Sequence, residues 1–269
     1  MPYAFDHLDL IQEAVSQSPF GLITDVDGTI SRTAPTPEAA KVSPLCRRYL
    51  SSLSRHLALV AAISGRPANQ VRDMLGINGM VYIGNHGLER WIEGHTEFPN
   101  SAQDYSRVIK PVVEELTPLL SIKGISIENK GVTATIHYRL CPDPQMAEGE
   151  ILNAVKALAQ AKDLRIVKGR MAVNLLPPVD INKGTATLDL IQEYNLQGGI
   201  YLGDDSTDID AFRAIHTARC KSNFRGFAIG ILSPETPEEL VKETDFTLNG
   251  VSDVERFLKW MLENALQSS

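Results

Sequence analysis

Short apolar runs and amphipathic stretches take turns along this chain. In its first part Phe20–Ile23, Leu57–Ile63 and Met80–Ile83 are continuous apolar runs bounded by turn residues. Such runs predict strands buried on both faces. Between them, Glu38–Leu53 and Ala68–Leu75 carry helical spacing. Strand and helix in alternation predict parallel strands joined by right-handed crossovers. The pattern returns after Asn182, where Ala186, Leu190, Ile191 and Tyr194 mark one helical face, Ile200–Leu202 and Phe227–Ile231 are strands, and Val254–Ala265 is a closing helix.

Between these two stretches the period changes. Tyr105–Leu120 has helical spacing, and Gly124–Glu128 and Val132–Arg139 alternate like hairpin strands around Asn129-Lys130-Gly131. Ile151, Val155, Leu158 and Ala159 form a second helical stripe, and Leu164–Val167 and Met171–Leu175 a second strand pair turning at Lys168-Gly169-Arg170. An α-β-β-α-β-β order predicts a small sheet backed by helices. Pro99-Asn100-Ser101 and Pro177-Pro178 punctuate its ends. The expected fold class is therefore α/β, a Rossmann-like parallel-sheet core interrupted by an α+β insert. The expected boundaries are 1–97 and 179–269 for the core and 98–178 for the insert.

The chemistry-bearing residues sit where strands are expected to end. Asp25-Val26-Asp27-Gly28-Thr29 follows the first apolar run. If extended backbone persists through Val26, Asp25 and Asp27 project to one face, and Gly28 lets the chain turn. Carboxylates beyond the carboxyl end of a central parallel strand lie where open α/β sheets bind ligands. Ser64-Gly65-Arg66 follows the second run, with Pro67 placed to begin a helix, so the Ser64 hydroxyl and nearby amides could hold a phosphate oxygen. Asn182-Lys183-Gly184 opens a helix, and Lys183 offers a compact positive charge for a transferring phosphoryl group. Gly203-Asp204-Asp205-Ser206-Thr207-Asp208 follows Ile200–Leu202.

These four segments, in this order, resemble the motifs of the haloacid dehalogenase superfamily of aspartyl-phosphate phosphatases. Gly84-Asn85-His86-Gly87-Leu88-Glu89, Lys130, His137-Tyr138-Arg139, Asn182-Lys183-Gly184 and the Gly-Asp-Asp-x-Thr-Asp string at 203–208 are similar to the trehalose-6-phosphate phosphatases. The resemblance implies that Asp25 is the nucleophile and Asp27 the general acid and base. It implies magnesium held by the Asp25 carboxylate, the Asp27 carbonyl and Asp204, with Asp205 and Asp208 arranging the groups around them. Thr29 would orient Asp27 through a hydrogen bond. Ser64, Gly65 and Lys183 would bind the phosphoryl group, Arg66 would anchor its loop or meet the ligand, and the insert would be a substrate-selecting cap.

His86 and Glu89 are candidate substrate contacts, with an ordinary turn the alternative. Lys130, His137 and Arg139 match the family's sugar and phosphate contacts in the cap. The second hairpin departs from the family, which carries G-K and then E-I-R-P. Here Arg170 stands for the lysine, Asn174 for the sugar-binding glutamate and Leu176 for the arginine. Asn174 can still hydrogen-bond a hydroxyl, without the charge-assisted strength of a carboxylate. Ile209 replaces the glutamate usual after T-D. The expected substrate is trehalose 6-phosphate, with glucosylglycerol phosphate and glycosyl-3-phosphoglycerate as rivals. A sugar phosphomutase and a non-catalytic sugar-phosphate sensor are the other classes considered.

Composition narrows the partners. The 269 residues have 43% hydrophobic and 22% charged content, as expected for a globular protein. The net charge of −7 disfavours general nucleic-acid binding and leaves room for a local phosphate site. Cys46, Cys141 and Cys220 lack zinc-site spacing and read as free thiols. No run approaches the ~20 apolar residues that span a bilayer, and no basic leader precedes the first strand. The expectation is a cytoplasmic enzyme acting on a small sugar phosphate, with no membrane partner and no deducible oligomeric state.

Overall fold

The computed structural model describes residues 2–99, 102, 104–158, 161–221 and 223–265. Asn100, Ser101 and Ala159, which figured in the expected linker and helical stripe, lie outside the described residues. The chain forms two compact units, Met1–Glu97 with Ile181–Ser269, and Phe98–Asp180.

The first unit contains helices α1 (Leu8–Val15), α2 (Pro44–Leu53) and α3 (Ala68–Leu75) and strands β1 (Phe20–Thr24), β2 (Leu59–Ile63), β3 (Val81–Gly84), β4 (Glu89–Ile92) and β5 (His95–Glu97). The second unit follows with α4 (Ser106–Leu119), β6 (Ser126–Asn129), β7 (Ala134–His137), α5 (Pro144–Ala157), β8 (Arg165–Gly169) and β9 (Ala172–Leu176). The chain then returns to the first unit through α6 (Lys183–Glu193), β10 (Gly198–Gly203), α7 (Ile209–Lys221), β11 (Arg225–Leu232), α8 (Glu238–Glu243), β12 (Phe246–Asn249) and α9 (Gly250–Ala265).

The large sheet runs β12-β11-β10-β1-β2-β3-β4-β5, parallel as far as β3 and antiparallel beyond it. Alternation along the strands builds a core on each face. Leu22, Val60, Ala62, Ile200 and Leu202 join α1, α2, α3 and α9 on one face. Ile23, Ala61, Ile63 and Tyr201 join α6, α7 and α8 on the other. Both faces being covered explains why these strands read as unbroken apolar runs. Thr24 stands beside Leu202 in β10 and Ala62 in β2, so the strand ends come level and the loops after β1, β2 and β10 emerge together.

The second unit has an antiparallel sheet, β6-β7-β9-β8. Ile109, Val112 and Leu116 of α4 and Ala147, Ile151 and Val155 of α5 pack on Ala134, Ile136, Val173 and Leu175. The alternate residues Glu128, Thr135, Asn174 and Val167 stand in register across the other face.

Several expected boundaries move. The expected helix Glu38–Leu53 begins only at Pro44, because the Ser43 hydroxyl accepts from the amides of Leu45 and Cys46 and Pro44 suits the first helical position. Pro37–Ala39 is a separate 3-10 turn. The second hairpin turns at Arg170-Met171 rather than at Lys168-Gly169-Arg170, since Gly169 pairs with Ala172 and Met171 takes φ +53°. The closing helix starts earlier, at Gly250. Helix α1 and the antiparallel strands β4 and β5 were not expected.

Candidate active site

Three adjacent loops and one helix start bring the candidate residues together. Asp25 follows β1 directly, and its amide donates to the Leu202 carbonyl at 2.8 Å, so the bonding between β1 and β10 continues into the site. Gly28 then takes φ +93°, which ordinary side chains rarely adopt. Lys183 is the first residue of α6. Its position is set by a reciprocal cap in which Thr185 N donates to Asn182 Oδ1 at 2.9 Å and Asn182 N to Thr185 Oγ1 at 3.0 Å.

Lys183 Nζ donates to Asp25 Oδ1 at 2.7 Å and to Asp208 Oδ1 at 2.8 Å, all three side chains being buried. Asp208 Oδ1 also accepts from the Tyr201 hydroxyl at 2.7 Å, and Oδ2 accepts from the amides of Asp204 and Asp205, each at 3.0 Å. Asp208 thus receives four donors and acts as the fixed counter-charge of the lysine. Gly203 makes room for it, since a Cβ there would stand 2.4 Å from Asp208 Cγ. Asp205 caps the short turn Ser206–Asp208 through Ser206 N at 2.7 Å.

Burial pushes Asp25 up to about 7, with the charges of Asp208 and Asp27 adding to the shift and Lys183 opposing it. Burial also works against the charge on Lys183, but Asp208 and Asp25 outweigh it and raise the lysine, which stays protonated. Burial and the Asp208 charge raise the Tyr201 hydroxyl, leaving it a neutral donor.

Asp27 is held apart from this cluster. Its carboxylate accepts from Arg66 Nε at 2.6 Å and Nη2 at 2.9 Å, and Arg66 Nη2 also donates to the Pro37 carbonyl at 2.8 Å. The strand ends at Thr24, so the projection of Asp27 is set by the turn and Arg66 rather than by extended backbone continuing through Val26. The Thr29 hydroxyl is fully buried and donates to Asp204 Oδ1 at 3.2 Å, not to Asp27 as expected. The Gly28 turn sets Thr29 beside the loop after β10, while both Asp27 oxygens are taken by Arg66.

Ser64 is buried and its Oγ accepts from Arg66 N at 3.2 Å. Pro67 is the N-cap of α3. The loop at 84–87 braces this segment. Asn85 N donates to Arg66 O at 2.8 Å and His86 N to Ser64 O at 2.9 Å, while the His86 ring lies over Gly65, where a Cβ would be 2.6 Å from its Cε1. Glu89 is buried and accepts from the Ala68 amide at the start of α3. It therefore satisfies a free helix-end donor.

The insert's candidates form their own network. His137 Nε2 lies 3.1 Å and Lys130 Nζ 3.7 Å from Glu128 Oε2. Asn174 Oδ1 accepts from Thr135 Oγ1 at 2.8 Å, and Arg139 Nη2 reaches the Arg170 carbonyl at 3.5 Å. The sequence reading missed Tyr201, Glu128 and Thr135. Tyr201 sits in an apolar strand and Thr135 in an alternating one, so only the pairing of neighbours reveals their partners.

The donor set fits a hard divalent cation. Asp25, Asp204 and Asp208 each have a carboxylate oxygen within 4.8 Å of the others. Asp208 has its oxygens filled, whereas among the described residues no donor reaches Asp25 Oδ2 or the Asp27 carbonyl. Oxygen ligands with room for water are what magnesium prefers.

The trehalose-phosphatase family model matches residues 23–245, which include every candidate site residue named above. The chain belongs to the trehalose-phosphatase family. It is 29% identical to probable trehalose-phosphate phosphatase 3 of Oryza sativa subsp. japonica, over 97% of this chain and 74% of that protein. It is 32% identical to trehalose-phosphate phosphatase of Mycobacterium tuberculosis H37Ra, over 80% of this chain and 56% of that one. The fold is similar to the C-terminal domain of the C. albicans trehalose-6-phosphate phosphatase, with a TM-score of 0.80 at 19% identity, over 97% of this chain and 98% of that chain. Among the described residues no helix is long and apolar enough to cross a membrane.

Proposed function

We propose that this chain is a magnesium-dependent phosphomonoesterase that hydrolyses trehalose 6-phosphate to trehalose and phosphate through an aspartyl-phosphate. Family membership supports the activity. The observation that carries the mechanism is the buried Lys183 bridging Asp25 and Asp208 at the carboxyl end of the parallel sheet.

Asp25, ionised, attacks phosphorus as the bond to the sugar oxygen breaks, and Asp27, protonated and released from Arg66 for this step, gives that oxygen its proton. Asp27 then takes a proton from water, which attacks the same phosphorus and releases Asp25. Lys183 and the Ser64 loop neutralise and hold the phosphoryl oxygens. Magnesium, held by Asp25, Asp204 and the Asp27 carbonyl, would supply charge neutralisation of the dianionic ester when bound. With Asp25 pushed up to about 7, the nucleophile is protonated below that range. kcat/KM should fall as pH is lowered, and added magnesium should move the acid limb to lower pH by favouring the carboxylate. An acid limb insensitive to magnesium would separate Asp25 from the metal.

A second reading, a phosphatase for another glycosyl phosphate, is favoured by Asn174, buried and committed to Thr135 where the family carries a glutamate. Phosphate release from trehalose 6-phosphate and a panel of sugar phosphates, with magnesium or with EDTA, decides between them. Asp25→Asn should lower turnover of every ester by at least about 10³-fold. Release by the variant at the wild-type rate would remove Asp25 as nucleophile. A clear preference for another ester would replace trehalose 6-phosphate as substrate.

A further inference from the structure

A groove of about 520 Å³ lies in the parallel-sheet unit between α2 and the end of α3, lined by residues that include Lys41, Arg47, Arg48, Val42, Met74 and Ile77. Its volume is within the range of small-molecule sites. None of its lining residues is acidic. Lys41, Arg47 and Arg48 are exposed, and among the described residues none of these side chains is hydrogen-bonded or ion-paired. Three acids close by in the chain or packed near it are engaged: Glu255 accepts from the Ser43 hydroxyl, Asp73 pairs with Arg72 at 3.0 Å, and Glu38 has a partner other than these three cations. In a chain of net charge −7, three cations that no carboxylate among the described residues pairs with surround one concavity and make a local positive field there.

The rim of this groove leads to the candidate active site. Val42 is bridged to Ser31, and Ser31 to Asp27, with Gly28 N donating to Ser31 O at 2.7 Å and Ser43 N to Ile30 O at 2.9 Å. The same segment presents the Pro37 carbonyl to Arg66, the residue that clamps Asp27. Any ligand that fixes Ala40–Val42 therefore acts on the backbone that carries Asp27.

We propose that this groove is a second anion site, which binds a small phosphorylated metabolite and couples its occupancy to turnover through residues 27–43. Two arginines can each offer paired donors to phosphate oxygens, Lys41 adds a third charge, and Val42, Met74 and Ile77 give an apolar floor for the organic part. Binding here does not depend on which ester is hydrolysed. Only the rate measurement rests on the phosphatase reading.

The test uses ADP as an organic phosphate and inorganic phosphate as the bare anion. Titrations of wild type and K41Q/R47Q/R48Q are followed by calorimetry and by the arginine Nε–H resonances, with magnesium present. The expected result is perturbation of the Arg47 and Arg48 signals by ADP, and binding at least about tenfold weaker in the triple variant, since charge-assisted hydrogen bonds are lost. Inorganic phosphate binding as tightly as ADP at the same arginines would assign the site to the bare anion and overturn the organic ligand. Equal affinity of wild type and variant, or arginine signals that do not move, would overturn the site. Turnover without ADP should be the same in both proteins, and ADP should change kcat at least about twofold in wild type alone. Binding at the groove with no change in kcat would overturn the coupling.

Discussion

In the parallel-sheet unit each charged group of the candidate site has partners that leave it one place to be. Lys183 lies between two buried carboxylates, Asp208 takes four donors, and Arg66 grips both oxygens of Asp27. In the antiparallel unit the candidates are neighbours on one sheet face, bonded to one another in pairs: His137 and Lys130 near Glu128, and Thr135 to Asn174. The first arrangement couples the chemistry to the fold, so a change there disturbs both. The second leaves the fold to α4 and α5 on the opposite face, so a change there can alter recognition alone.

The largest effect that sharpens this contrast is expected at Lys183. Lys183→Ala leaves Asp25 and Asp208 buried without their common counter-charge, and breaking such a buried pair costs about 3–5 kcal/mol. Denaturant unfolding should show that loss together with loss of turnover. A variant as stable as wild type would mean that the carboxylates take up protons or water at little cost, and the contrast between the two units would weaken.

A smaller effect is expected at Arg66, whose guanidinium is partly buried while Asp27 is more exposed. Arg66→Ala frees the Asp27 carboxylate and the Pro37 carbonyl, so kcat should fall about 10- to 100-fold through misplacement of the proton donor. In an Asp27→Asn background the same substitution should have little further effect, because the residue acts through Asp27. Additive losses would show that Arg66 works on the substrate directly.

What the sequence disclosed follows the same division. β1, β2 and β10 were legible because burial on both faces leaves unbroken apolar runs, and Asp25, Ser64 and Asp204 stand immediately beyond those runs. Lys183 was legible from the helix start at Asn182. β5 was not, since His95–Glu97 is short and polar with two exposed residues and has no apolar period to read. The roles of Thr29 and Glu89 depend on tertiary partners, Asp204 across the strand ends and the first amide of α3, which no local pattern encodes. The loop at 84–87 is similar: its sequence marks a turn, but its bonds to Ser64 and Arg66 appear only once β3 is set beside β2.

The smallest effect is expected in the antiparallel unit, and it bears most directly on substrate choice. Asn174 is buried and bonded to Thr135, so Asn174→Ala removes one neutral hydrogen bond and leaves the Thr135 hydroxyl to find another acceptor, a change of about 1–3 kcal/mol in the unit that holds it. If Asn174 also meets a sugar hydroxyl, the ratio of kcat/KM for trehalose 6-phosphate to that for p-nitrophenyl phosphate should fall about tenfold, because the aryl ester has no such hydroxyl to lose. Asn174→Glu should shift the ratio toward trehalose 6-phosphate, the carboxylate accepting from Thr135 and offering a second oxygen to the sugar. Equal losses on both esters would assign Asn174 to the architecture of the sheet, and specificity would then pass to Glu128, Lys130 and His137, which share one polar cluster.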